Sequence, residues 1–229
     1  MCLRVWYRSD HRALVAAVSA IRGYAAQVSD STDSSASGRP ALDELAQRSA
    51  ELVDDSLYAS ARTEAHELGA ASPDALTAEA IRLIARLTGA RATVCITPAP
   101  AVPALAILAA AGPGSGAVVT CITDDPHHLD AARSALREAG HPSSAARFIA
   151  ARPLEVADKL ADGAYDLVLA DVPDHSVARV VSRSHQLLRA GGALVLIGEH
   201  APLPEDAQLP EDAHVTVLPV GTGLTVVTL

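Results

Sequence analysis

Arg91 to Asp125 reads RATVCITPAPAVPALAILAAAGPGSGAVVTCITDD. Thr93, Val94, Cys95 and Ile96 form an apolar, β-rich run that stops at Thr97. Val102, Leu105, Ile107 and Leu108 then recur at helical spacing, a loop from Gly112 to Gly116 breaks the helix, and Val118 to Ile122 make a second buried strand followed by Asp124 and Asp125. The pattern predicts a βαβ unit, whose parallel strands need helices over the faces of their sheet. In open α/β folds of this kind the turn after the first strand and an acid after the second face a ribose-bearing ligand. Here that turn is Thr97-Pro98-Ala99-Pro100-Ala101, with no glycine.

The alternation continues downstream. Pro126 to Ala139 predicts a helix, with proline in its first turn and Gly140 just past its end. A short strand at 146–150, a helix at 153–160, the strand YDLVLADV at 165–172 and a helix at 174–188 follow. Gly191-Gly192 is then expected to turn the chain into the fifth strand, ALVLIG. An acidic, proline-rich loop at 202–210 precedes two closing strands at 214–220 and 224–229. The expected architecture is α/β: a Rossmann-like, doubly wound, mostly parallel seven-stranded sheet with a C-terminal antiparallel hairpin.

Upstream, residues 42–68 are helical in pattern, with a break near 50–55. Gly69 to Pro73 reads as a loop, and Asp74 to Leu87 as an amphipathic helix stopped by Gly89. Residues 1–28 predict an N-terminal helical extension, with Leu14, Val15, Val18 and Ile21 on one side. Residues 29–40, SDSTDSSASGRP, are too poor in apolar side chains to offset their ordering entropy and read as a flexible linker. The domain proper is then 41–229.

With 49% hydrophobic but only 3% aromatic residues, the core must be built from Ala, Val, Leu and Ile. A net charge of -9 argues against a general phosphate-binding surface, so nucleic acid is not an expected partner. No apolar run reaches the roughly eighteen residues of a membrane span, and residues 13–21 are too short and lack a convincing cleavage site for a signal peptide. Cys2, Cys95 and Cys121 contain no CxxC pair, and two sit inside strands, which points to buried free thiols in a reducing, cytoplasmic setting.

YDLVLADV, LLRAGGALVLIG and a final hairpin in this order resemble the class I S-adenosylmethionine-dependent methyltransferases. SLYASARTEAHELGA, DALTAEAIRLIARLTGARA, DPHHLDAARSALREAG and KLADGAYDLVLADV are similar, more narrowly, to the bacterial O-methyltransferases related to catechol O-methyltransferase. The resemblance covers residues 51–229. It implies methyl transfer from S-adenosylmethionine to a small-molecule oxygen.

The resemblance also implies which positions should hold the cofactor. Family members carry an acid at the end of the first strand and a glycine turn after it, in a pattern like E-x-G-x-x-x-G. By register the acid falls on Cys95 and the turn on Thr97, Ala99 and Ala101, where alanines restore β-carbons and Pro98, Pro100 and Pro103 have no N–H to donate. The ribose-binding acid falls on Thr123; a shift of one residue would offer Asp124, while Pro126 and its helix assign Asp125 to the helix N-terminus. Metal-dependent relatives use an acid at the end of the fourth strand and an Asp-Asn pair at the end of the fifth. Asp171 matches the first, but Ile197 and Gly198 stand at the pair, so no metal site is expected.

Asp171 is therefore the one catalytic candidate in a family position. Asp174, His175, Glu199 and His200 lie just beyond the same two strand ends and read as exposed loop residues, the alternative being a relocated acid-base or metal cluster; His127-His128 reads as a solvated helix start, and Arg179, Arg183 and Arg189 as ordinary helix surface. The expected function is that of an O-methyltransferase-like protein with weakened or lost catalysis. The alternative is a non-catalytic interaction or regulatory module on the same fold. Expected partners are a small-molecule substrate, if the chain is active, and a second copy of itself; a membrane is not among them.

Overall fold

The computed structural model describes residues 55–198, 200 and 202–229. The chain divides into two compact units, Met1–Glu44 and Leu45–Leu229, and every described residue belongs to the second. The expected helix at 1–28, the linker at 29–40 and the start of the domain up to residue 54 lie outside the described residues.

After a 3-10 turn at Asp55–Leu57 come helices α1 (Ala59–Glu67) and α2 (Ala75–Leu87). Then follow β1 (Ala92–Ile96), α3 (Ala101–Ala111), β2 (Val118–Thr123), α4 (Pro126–Glu138), β3 (Ala146–Ala150) and α5 (Pro153–Ala157). The chain closes with β4 (Tyr165–Ala170), α6 (Asp174–Leu187), β5 (Leu188–Ile197), β6 (His214–Leu218) and β7 (Leu224–Thr228). The seven strands lie in the order β3-β2-β1-β4-β5-β7-β6. β1 to β5 are parallel, and β7 pairs antiparallel with both β5 and β6. This is the doubly wound sheet and C-terminal hairpin that the sequence predicts.

The period-2 alternation of the strands sorts their side chains onto two faces. Cys95, Cys121, Leu167, Leu169 and Val195 pack with α1 to α4, whereas Val94, Ile96, Val168, Leu194 and Leu196 pack with α5 and α6. Cys95 and Cys121 stand opposite each other on neighbouring strands, both fully buried, as expected from their apolar settings. With few aromatics available, close approach of small side chains does the filling: nine of the eleven residues of α3 are buried, five of them alanine or proline. Among the described residues, no helix is long and apolar enough to cross a membrane.

Several boundaries differ from the sequence reading. β4 ends at Ala170 rather than 172, although Asp171 N–H still reaches the Ile96 carbonyl at 2.8 Å. α5 stops at Ala157 rather than 160, because Lys159 and Leu160 close tighter turns onto the carbonyls of Val156 and Ala157. Gly191-Gly192 does not precede the fifth strand but lies within it: pairing jumps from Tyr165↔Leu188 to Leu167↔Ala193, so β5 bulges around the glycines. A Cβ on Gly192 would stand 2.9 Å from the Arg189 carbonyl oxygen, which is why glycine occupies the bulge.

Two surface readings are also corrected. His127 is exposed, but His128 is 5% exposed, turned inward on α4 with Nε2 4.0 Å from the Asp125 carboxylate. Arg183 is no ordinary surface residue: it donates to the carbonyls of Ala157 and Leu160 at 2.9 and 2.7 Å and to Asp162 at 2.7 Å, strapping the α5–β4 loop to α6. Arg189 belongs to β5 and pairs with Asp166, whose other oxygen accepts the N–H groups of Arg91 and Ala92.

Candidate functional site

The carboxyl ends of β1, β2, β4 and β5 meet at one edge of the sheet, where ligands bind in open α/β folds. β1 delivers Thr97 to Ala101 there. Thr97 and Ala99 are each 2% exposed and Ala101 4%, so the β-carbons at these three positions are packed in, while Pro98 between them is exposed. The Ala99 N–H faces the Thr97 hydroxyl at 3.4 Å, and Pro98, Pro100 and Pro103 offer none. Every described residue with positive φ is a glycine, so this turn is built entirely from conformations open to residues with a β-carbon.

Cys95 stands one residue before the end of β1, and its side chain points into the core. Burial pushes its thiol far above the usual range, reinforced by Cys121 and Asp171, so it is a neutral apolar group. At the end of β2, Thr123 is 2% exposed and its hydroxyl faces the Asp125 N–H at 3.4 Å. Asp125 caps α4 by accepting the His127 N–H at 2.8 Å, in the helix-terminal role that its position before Pro126 predicts. Asp124 is exposed and does not turn back under the strand ends.

β4 delivers Asp171, half-buried; burial raises its carboxyl above the usual carboxylate range, and His200 opposes that shift. His200 is fixed from three sides. Its backbone N–H donates to the Thr225 hydroxyl at 2.8 Å, and that hydroxyl, on a fully buried residue of β7, donates in turn to the Gly198 carbonyl at 3.1 Å. Its Nε2 lies 3.1 Å from the Ile197 carbonyl oxygen and its Nδ1 3.5 Å from Asp174 Oδ1. Asp174 and His200 thus come together, His175 is exposed, and Glu199 lies outside the described residues. Sequence reading missed Thr225, which looks like one more β-branched strand residue; its only signal was a polar side chain between Leu224 and Val226.

The residues at the β1–β2 half of this edge do not fit S-adenosylmethionine as the family holds it. The methionine end would need open backbone N–H donors without β-carbons, and the ribose an acid, where the chain has an Ala/Pro turn with both alanines buried, and a buried threonine. Nor do the residues at β5 fit a hard divalent cation: Ile197 and Gly198 supply no side-chain oxygen. Among the described residues, no three His, Cys, Asp or Glu side chains are grouped to hold a metal.

No family model matches the chain. A protein of Mycobacterium sp. (strain JLS) named "Putative O-methyltransferase" is 35% identical over 168 residues, 72% of this chain and 76% of that protein. One of the same name from Mycolicibacterium vanbaalenii is 34% identical over 145 residues, and the match spans 63% of each, just under two thirds of that relative. The crystal structure of a Corynebacterium glutamicum protein, 33% identical, superposes with a TM-score of 0.70 over 82% of this chain and 96% of that one. The O-methyltransferase TomG from Streptomyces achromogenes, solved in complex with SAM, shares the fold at 21% identity, with a TM-score of 0.66 over 80% and 94% of the two chains. A third of the residues kept across most of a relative's length, on the same seven-stranded frame, establish that this chain belongs to the S-adenosylmethionine-dependent O-methyltransferase family.

Proposed function

We propose that this chain is an O-methyltransferase-family protein in which methyl transfer from S-adenosylmethionine is weakened or lost, and that it acts as a non-catalytic interaction or regulatory module. The observation that carries this reading is the turn Thr97–Ala101, in which Thr97, Ala99 and Ala101 are buried with their β-carbons packed in and three prolines stand in and beside it. The buried Thr123 in the ribose position supports it. Each buried or charge-assisted hydrogen bond lost costs about 1.5 to 3 kcal/mol, so losing two or three turns a micromolar dissociation constant into roughly a millimolar one. Calorimetric titration of the full chain with S-adenosylmethionine is the test. No saturable heat below about 1 mM is expected; saturation at low micromolar concentration would overturn the reading.

One observation favours a retained transferase. Asp171 keeps the family's position at the end of β4, half-buried and facing the edge where an acceptor oxygen would lie. An active chain would then take a small-molecule hydroxyl as substrate and S-adenosylmethionine as cofactor, with Thr97, Ala99, Ala101, Thr123 and Asp124 as its nearest lining. The negative charge of the chain supports a small molecule or a protein over nucleic acid as partner, and two buried free thiols agree with a cytoplasmic setting.

A further inference from the structure

β6 lies at the border of the sheet, and the register of its neighbours shows which of its backbone groups are open. Between β5 and β7 the Gly198 N–H donates to the Gly223 carbonyl and the Leu229 N–H to the Gly192 carbonyl, both in line with the pairing from Ala193↔Thr228 to Ile197↔Leu224. Hydrogen-bonded pairs alternate along an antiparallel ladder, so Thr225 and Val227 turn their backbone groups to β5, and Leu224, Val226 and Thr228 turn theirs to β6. Their partners in β6 are Leu218, Thr216 and His214. Val215 and Val217 are left with N–H and carbonyl directed away from β7, and among the described residues no strand pairs with them there.

Border strands are ordinarily protected by a charge, a proline or a bulge. β3, at the opposite border, carries the exposed Arg147, whereas β6, HVTVL, has no acidic residue, lysine, arginine or proline and pairs with β7 without a bulge. Charge stands just upstream instead: Glu211 and Asp212, next to Ala213, and Glu205 and Asp206 earlier in the same loop are all exposed, and none is paired with a cation. We propose that β6 is a docking edge for an extended, cationic segment of a partner protein, which adds an eighth strand by bonding to Val215 and Val217 while its Lys or Arg side chains meet Glu211 and Asp212. Charge decides against a second copy, which would bring a further net -9 and the same acids to this edge. The edge gives the interaction module its class of partner and rests on that reading for its purpose, but β4, β5 and β7 separate it from β1 and the turn that follows.

The test is fluorescence anisotropy of a short labelled peptide of alternating lysine and valine, titrated with the full-length protein at low salt and without S-adenosylmethionine. Wild type should bind it with a dissociation constant of roughly 100 μM or tighter, and the matching glutamate–valine peptide should not bind. Val215→Pro deletes an outward N–H and no bond to β7, a place where border strands accept proline, and should weaken binding at least about tenfold. Glu211→Gln/Asp212→Asn should do the same, and Val215→Thr, which keeps the N–H, should bind as wild type does. Far-ultraviolet circular dichroism and a cooperative melt establish that each variant is folded. Should Val215→Pro fail to fold, a lysine–valine peptide N-methylated at alternate residues, which cannot form the ladder, is titrated into wild type in its place and should not bind. No binding by wild type, undiminished binding by folded Val215→Pro or of the methylated peptide, or indifference to the loss of the two acids overturns the proposal. A wild-type dimer in sedimentation that Val215→Pro dissolves would give the edge to a second copy and overturn it as well. Because S-adenosylmethionine is absent, these outcomes are separate from saturation in the calorimeter, which would overturn the functional reading instead.

Discussion

Gly221, at φ +58° in the β6–β7 turn, lies so close to the Asp74 carboxylate capping α2 that a Cβ on the glycine would overlap both carboxylate oxygens and the Thr77 hydroxyl. Thr77, fully buried, accepts the Thr222 N–H at 2.9 Å, and its hydroxyl lies 3.3 Å from the Val220 carbonyl. The hairpin tip is thereby clasped to the start of a helix that precedes it by some 145 residues. Gly221→Ala should lower stability by about 2 to 5 kcal/mol, from left-handed strain plus overlap. Gly114→Ala, at φ +71° with nothing within 4 Å of its would-be Cβ, should lose only about 1 to 2 kcal/mol. Urea unfolding of both variants separates the two contributions; equal losses would mean that the clasp is slack.

Putting back the family's acid at the end of β1 should not repair the chain. Cys95 is fully buried between Cys121 and Leu169 on the neighbouring strands, and no described cation is paired there. Cys95→Glu is expected to cost several kcal/mol, of the order found for an uncompensated buried charge, with the loss read as a lower urea midpoint. A variant as stable as wild type would indicate that the end of β1 opens more readily than its burial suggests.

Glycines in the turn are the better restoration. Ala99→Gly/Ala101→Gly/Thr123→Asp removes two β-carbons and supplies the ribose acid, and it should recover measurable S-adenosylmethionine affinity, roughly tenfold or more over wild type, if the space behind the turn is sound. No recovery in a folded variant would place the block in the prolines, which the three changes leave untouched.

Asp171 gives a pH signature. Its folded-state carboxyl is raised from 3.8 by burial, so the folded protein binds its proton more tightly than the unfolded chain does. Its contribution is fully present below the unfolded value and is lost as pH rises through the raised one. Asp171→Asn should therefore match wild type near the acid end of a series of thermal melts and exceed it increasingly towards neutrality. An advantage that does not grow with pH would show that the carboxyl is not desolvated.

Much of the fold was legible because it rests on repeating signals: apolar runs for β1, β2 and β4, Pro126 and Gly140 at the two ends of α4, and the loss of helical pattern before the final hairpin. What escaped depended on contacts between distant residues. Gly191-Gly192 looks like any turn until the β4 register shows a bulge, and His128 looks solvated until α4 is laid on the sheet. The cofactor half of the site was legible as a set of replacements, since glycine, proline and acid have fixed meanings at a strand end. The acceptor half was not, because Thr225 and His200 meet only when β7 pairs with β5.

α3 has almost no wet side. With its residues buried among α2, α4 and the β1–β2 ladder, its amides can meet water only when the surrounding layer opens. In hydrogen exchange, α3 with β1 and β2 should form the slowest-exchanging unit, with protection approaching the free energy of global unfolding, while β6, on the open edge of the sheet, should exchange through small local openings. The same 35 residues that make the fold readable would then be the last part of the domain to come apart.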